Sequence, residues 1–354
     1  APEITLFDIR QMHYPLDARH RGPWQDQPTS FDFEAVMQPV TLASGETVRP
    51  TTYARVAGVS FEAIDSVLGR LGQPVGLKSY KPFHSTGENF LQNYLGMAGL
   101  PIEMVLRCGE PAAVHAPEDE PVVLLTAQAA HDRDIVAKIE RHVRSGRKVV
   151  ITSGLVRALQ DRGLHQIAEI EHTGRVALVQ AYQSGRGPLV QGEQPILIPQ
   201  IGYRTNDSWE IVSAIAGDNG WPLLHDADYS TGQLYVLTIP ENFADLYHYP
   251  QAALDAIRAV ITPHLPARLE APSKVSLFLY DNGTCVVHNF RDEAVQAQLA
   301  LGLDHSALED VVSGERIATS ERKVSRGWGK PPEPEAQVAA FSVAPHSFRA
   351  FRIH

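Results

Sequence analysis

Two short apolar runs, VVLLTA at residues 122–127 and KVVIT at 148–152, flank a stretch of helix length in which Val136, Ile139 and Val143 fall on one face. Neither run alternates apolar with polar residues, so each strand has to be covered on both sides. Strands covered on both sides and separated by a helix run parallel in one sheet. The spacing predicts a helix over 132–145, and Gly146 stands where a left-handed helix terminus needs a residue without a Cβ. This unit constrains the fold more than any other stretch. It calls for an open, doubly wound α/β domain.

The neighbouring segments extend that domain. Residues 74–82 read as a strand, and Ser85 with Glu88 three places later has the spacing of a capping box. A helix carrying Phe90, Leu91, Tyr94 and Leu95 is expected to follow and to end near Gly99. Residues 102–108 give another strand and 109–121 a Pro-rich loop. Beyond Gly174 the pattern becomes mixed, with strands expected at 176–182, 196–201, 210–215 and 233–239. A helix over 251–261 closes the domain, and Pro263 and Pro266 mark a linker.

From residue 274 onward the pattern is all-β. Asp281-Asn282-Gly283 between two apolar runs is a strong hairpin signal, because Asn and Gly tolerate positive φ. A second turn is expected at Ser313-Gly314. The strand spacing suits a small antiparallel sandwich.

The chain opens differently. ITLFDIRQM at 4–12 reads as one strand. A loop without periodicity follows at 13–33, and further along comes a helix over 60–71 with Phe61, Ile64, Leu68 and Leu71 inward, Ser60 as its cap and Gly72 as its stop. One strand, one loop and one helix do not make a core. Such a piece resembles the last repeat of a βα barrel. With 354 residues, three units are expected: 1–72, 73–268 and 269–354.

A formal net charge of −10 without a Lys/Arg block argues against nucleic acid or an anionic membrane as partner. No apolar stretch approaches the roughly 20 residues of a membrane helix. No leader pattern is visible at Ala1, and a removed one would leave no trace, so the compartment stays open between cytoplasm and periplasm. Cys108 and Cys285 fall in different expected units and read as two reduced, buried thiols.

Candidate sites are few. Ser153 follows a strand at a strand-to-helix turn, but Thr-Ser-Gly lacks the first glycine of a nucleophile elbow, so a helix N-cap or a backbone turn is the expected role. Asp226, Asp228, Ser230 and Gly232 look like a calcium loop, yet the glycine falls at place seven and Leu237 at twelve, which favours a polar turn. His13 and His20, with Asp17 and Asp26 nearby, lack ligand spacing. No metal or other cofactor is expected. The loop holding Trp24, Phe31 and Phe33 with Arg19, Arg21 and Asp26 has the aromatic faces and bidentate polar groups that sugars need. It serves equally well to anchor a long loop. Of the acidic residues only Asp8 has a strand-end context, and one carboxylate is not the pair that glycoside hydrolysis requires.

Residues 120–154, with a helix ending Val-Arg-Ser-Gly-Arg-Lys before Val-Val-Ile-Thr, and the closing runs VSLFLYDNGTCVVHNF and SVAPHSFRAFRI resemble the C-terminal part of barrel-type glycoside hydrolases, most of all the trimeric β-galactosidases. In that family a catalytic barrel is followed by a flavodoxin-like domain resembling the class I glutamine amidotransferases, then by a small β domain. The middle domain there mediates oligomerisation and has lost the amidotransferase nucleophile. The resemblance implies that 4–12 is the last barrel strand and 59–72 the last barrel helix. Residues 79–101 do not follow the family pattern. By this resemblance Asp8, Arg10, Gln11, Trp24 and Asp26 line a carbohydrate pocket, the catalytic carboxylates lie on a barrel portion or second chain outside this sequence, and the protein is a homo-oligomer. Two other readings stay open: a stand-alone carbohydrate-binding or scaffold protein, and a stand-alone hydrolase using Ser153 or Cys108.

Overall fold

In a computed structural model the described residues of the chain are dominated by sheet, with few helices and several separate sheets. Described are residues 38–41, 47–48, 58, 61, 64–65, 67–106, 120–204, 206–325 and 331–354. The first described elements are a two-stranded pair, β1 (Val40–Thr41) with β2 (Thr47–Val48). The described residues between 58 and 68 are helical, as expected over 60–71. The inward face differs: Val67 is buried and Leu68 is 36% exposed.

The expected strand over 74–82 is two strands belonging to two sheets. β3 (Pro74–Val75) pairs with β14 (Val275–Tyr280) of the C-terminal sandwich, and β4 (Leu77–Lys81) enters the central sheet. Gly76 makes the switch possible. A Cβ there would lie 2.7 Å from the Pro101 carbonyl oxygen, the group that accepts from Leu77 N–H.

The central sheet has nine strands. Five run parallel: β4, β5 (Ile102–Leu106), β6 (Val122–Leu125), β7 (Lys148–Thr152) and β12 (Gly232–Leu237). Their side chains alternate between two cores. Val122, Leu124 and Val150 meet α1 (Leu91–Met97) and α4 (Gln251–Ile261) on one face. Val123, Leu125, Val149 and Ile151 meet α2 (Ile135–Arg144) and α3 (Ser153–Leu159) on the other. Burying each such side chain contributes about 1.5–3 kcal/mol relative to leaving it in water.

The other four strands are antiparallel: β8 (Ile170–Ser184), β9 (Leu189–Tyr203), β10 (Ser208–Ala216) and β11 (Asn219–Tyr229). Three of these contain the strands expected from sequence. β11 does not. Asp226, Ala227, Asp228 and Tyr229, expected as a polar turn, continue that strand, and the turn is only Ser230-Thr231, with Ser230 at φ 58°.

The last unit is two facing antiparallel sheets around one core that includes Leu269, Leu277, Val287, Leu299, Phe341 and Phe351. One sheet holds β13 (Ala267–Glu270), β16 (Val295–Leu301), β20 (Glu333–Val343) and β19 (Ser320–Val324). The other holds β18 (Arg316–Ala318), β17 (Ala307–Asp310), β21 (Ser347–Ile353), β15 (Thr284–Asn289), β14 and β3. The turns expected at 281–283 and 313–314 are present, with Gly283 and Gly314 at φ 74° and 73°. Cys285 is fully buried in this core as a free thiol, and burial pushes it up to about 12.

Arg258 of α4, 1% exposed, ties the central sheet to the sandwich. Its guanidinium donates to Ala98 O at 2.7 and 2.9 Å, to Ala271 O at 2.7 Å and to Asp255 at 2.8 Å. Burial pulls it down to about 10, and Asp255 opposes that fall, so it stays charged at neutral pH. Gly99, at φ 82°, is shaped by the same contact, since a Cβ would lie 2.8 Å from the Arg258 Nε.

Candidate functional site

In an open parallel sheet, ligands meet the crevice beyond the carboxyl ends of the strands, where the strand order reverses. Here the order β5-β4-β6-β7-β12 reverses between β4 and β6. The segment that reaches over this point is 82–90, and four of its residues have positive φ: His84, Gly87, Glu88 and Phe90.

Glu88 fills the crevice. Its Oε2 accepts from Ala127 N–H and from the Thr152 hydroxyl, both at 2.6 Å, and its carboxylate also accepts from Gly154 N–H. Gly154 has to be glycine, because a Cβ would stand 2.3 Å from Glu88 Oε1. Burial raises the carboxyl pKa as the largest influence, and the three donors oppose it. This overturns the capping box. Glu88 does not turn back to Ser85, whose hydroxyl is buried without a hydrogen-bond partner, and the helix begins only at Leu91. The strand ends offer the carboxylate three donors where a helix start offers one.

Of the two roles expected for Ser153, it takes that of the turn and not that of the cap. It is 2% exposed, and its hydroxyl accepts from Ile239 N–H at 3.0 Å, tying the turn to the end of β12. The cap of α3 is Thr152, which accepts from Leu155 N–H while donating to Glu88. Buried and held in this way, Ser153 is closed to a substrate. Cys108 lies outside the described residues.

Beside Glu88 runs a chain of amides. Gln92 donates to Gln128 at 3.1 Å, and Gln128 donates to Asn89 Oδ1 at 3.3 Å. Asn89 stands at the rim, its carbonyl oxygen engaged by the buried Gln128. There an open cleft of about 620 Å³ begins, with Asn89, Phe90, Asn93 and Tyr94 on one wall and Phe243 and Tyr247 on the other. Tyr94 meets Phe243 edge-on and Tyr247 face-on, each at 5.7 Å between centroids. Phe90 is 72% exposed at φ 67°.

Two titratable side chains elsewhere are buried with poor company. His225 is fully buried against Tyr203 with no hydrogen-bond partner on either ring nitrogen, and burial pulls it down to about 4. Asp226, on the other face of β11, accepts from Gln233 at 3.2 Å and leaves Oδ1 unpartnered. Burial, then Asp228, push it up to about 7 against the pull of Lys148. Asp226 and Asp228 are strand residues bridged by Gln233, not a calcium loop. Among the described residues no group of three or more His, Cys, Asp or Glu is placed to hold a metal, and no helix is long and apolar enough to cross a membrane.

Asp8, Arg10, Gln11, Trp24 and Asp26, like His13 and His20, lie outside the described residues. Sequence reasoning missed Glu88 and the cleft. The available signal was Gly154, two places after the end of a buried strand.

Residues 1–70 match a family model described as the catalytic domain of probable glycosyl hydrolases, and residues 266–353 match the C-terminal domain of the same kind. Residues 72–242 match the second domain of the uncharacterized protein SSO3021. No curated protein matches the chain. Similar solved structures include a β-galactosidase from Bacillus circulans sp. alkalophilus, with 12% identity and a TM-score of 0.47, covering 90% of this chain and 47% of that one. A cold-adapted β-galactosidase from Rahnella sp. R3 has 13% identity and a TM-score of 0.44, covering 85% and 45%. The cytoplasmic protein STM1381 from Salmonella typhimurium LT2 has 12% identity and a TM-score of 0.32, covering 46% of this chain and 86% of that one. The chain thus spans about half the length of the β-galactosidases it matches.

Proposed function

We propose, from the premise that both ends of this chain are glycosyl-hydrolase segments resembling part of a β-galactosidase-like enzyme, that it is the C-terminal part of a glycoside hydrolase acting on β-galactosides. The proposed partition is 1–72, the close of a βα barrel; 73–268, an amidotransferase-like domain supporting a homo-oligomer; and 269–354, the sandwich. In this reading Asp8, Arg10, Gln11, Trp24 and Asp26 complete a sugar pocket, and the catalytic carboxylate pair is supplied from a barrel portion outside residues 1–354.

The observation that carries the reading is the match of residues 1–70 to a catalytic-domain model. The grip of the sandwich on the exit of that segment supports it. Asn282 donates to Arg70 O at 3.0 Å, Gln73 N–H donates to Asp281 at 2.9 Å, and Arg70 donates to Val311 O at 2.7 Å. Gly72 passes so close to Asp281 that a Cβ would lie 2.1 Å from its oxygen. The loss of amidotransferase chemistry agrees with a buried Ser153 and with Glu88 closing the strand ends.

The test is kinetic and uses the complete enzyme. Trp24→Ala and Asp26→Asn are each expected to raise KM for an aryl β-galactoside at least tenfold while the molar mass by light scattering stays that of the wild-type oligomer. Unchanged KM in both would remove the pocket-completing role.

A further inference from the structure

We propose that the cleft between α1 and the turn Phe243–His248 is a binding site for a neutral pyranoside. Phe90 is the first observation. A bulky residue at φ 67° sits in a region that costs free energy for anything but glycine or asparagine. Its ring is 72% exposed and it caps α1 without any side-chain hydrogen bond. Neither backbone strain nor burial explains the phenyl group, and an outlier of this kind is a pointer to function.

The second observation is what faces the ring. The walls hold Tyr94, Phe243 and Tyr247, rings that pack on one another and on the core, so the exposed Phe90 ring is the face on which the C–H side of a sugar can lie, and the carboxamides of Asn89 and Asn93 suit hydroxyls. The lining side chains are uncharged, which suits a neutral sugar, and Lys274 lies over the Tyr247 ring, 5.6 Å from its centroid. Mostly apolar walls with a few fixed polar groups, in a volume of about 620 Å³, are the make-up of a small-ligand site. Asn89 is held in orientation by Gln128, so its NH2 group does not have to be ordered when a ligand arrives.

Glu88 accounts for the location. It occupies the crevice at the strand reversal, and the loop that carries it, 82–90, delivers Asn89 and Phe90 to the rim of the flanking cleft. The choice of sugar rests on the glycosidase reading; the cleft itself does not.

Calorimetric titration of the full 354-residue chain with lactose, cellobiose and maltose tests the proposal, with Phe90→Gly, Asn93→Ala and Tyr247→Ala as variants. At least one disaccharide is expected to bind, and each variant is expected to weaken that binding at least tenfold. Phe90→Gly relieves the positive φ, so its melting temperature is expected to equal or exceed that of the wild type, separating lost binding from lost fold. No binding of any of the three sugars overturns the proposal. Binding that survives Phe90→Gly and Asn93→Ala overturns it too, by placing the sugar elsewhere. Aryl galactoside hydrolysis by the wild-type complete enzyme reads out the glycosidase reading separately, and its absence alongside cleft binding would remove that reading alone.

Discussion

Glu88 and the pair His225 and Asp226 are both ionisable groups taken out of water, and they differ in what meets them. The Glu88 carboxylate finds Ala127 N–H, Gly154 N–H and the Thr152 hydroxyl. Asp226 finds only Gln233, and His225 finds no hydrogen bond. A buried polar group is neutral or favourable for folding only when its partners replace the lost water. The three donors return to Glu88 part of what burial takes away, so its pKa stays raised, whereas the β11 pair recovers far less.

Arg258 marks the satisfied extreme, bridging α4, the loop after α1 and the start of the sandwich. Arg258→Met leaves two buried carbonyls and Asp255 without their donor, and is expected to lower unfolding free energy by about 3–5 kcal/mol in a urea titration. A loss below about 1 kcal/mol would mean that water replaces the guanidinium there.

Glu88→Ala is expected to cost about 2–4 kcal/mol, since it strands three donors. Gly154→Ala should cost a similar amount in the wild type and little on top of Glu88→Ala, because its clash is with the carboxylate itself. Additive losses in that double-mutant cycle would show that the two residues do not share one contact.

For the β11 pair the signs oppose. His225 has its folded pKa depressed to about 4, so the unfolded chain binds its proton first, and stability falls as pH drops from about 6.5 to 4. Asp226 has its folded pKa raised to about 7, so its share of stability is fullest below about 4 and is lost as pH rises to 7. In the wild type the two slopes offset each other. Asp226→Asn should unmask a stability that climbs between pH 4 and 6.5 and should gain about 1–3 kcal/mol at pH 8. His225→Phe should leave stability falling over pH 4–7. Parallel profiles for the two variants would contradict the assignment.

The smallest effect concerns Cys285, whose buried thiol is expected to resist iodoacetamide in the native protein and to react fully in urea, read by peptide mass analysis.

Much of the architecture was legible because local pattern and burial agree. KVVIT is β7 to the residue, and the helix over 251–261 coincides with α4. Misreadings came where distant groups decide. Nothing local shows that Glu88 prefers β6 and β7 over its own helix start. Gly76 divides one apolar run between two sheets because of Pro101, a residue far along the chain. Asp226 and Asp228 have turn composition, yet the pairing of β11 with β10 and β12 extends the strand through them. For the site the legible part was Ser153 as a non-nucleophile. The cleft depends on α1 meeting a turn some 150 residues later, and no spacing within the chain encodes that.

The most direct test of the account is hydrolysis of a panel of aryl glycosides by this purified chain alone, with molar mass by light scattering on the same sample. The account predicts a defined oligomer and no turnover above that of a Ser153→Ala control, because the carboxylate pair is supplied from elsewhere. Turnover that tracks the purified chain and disappears when one of its own carboxylates is replaced would place a complete active site within these 354 residues and contradict it.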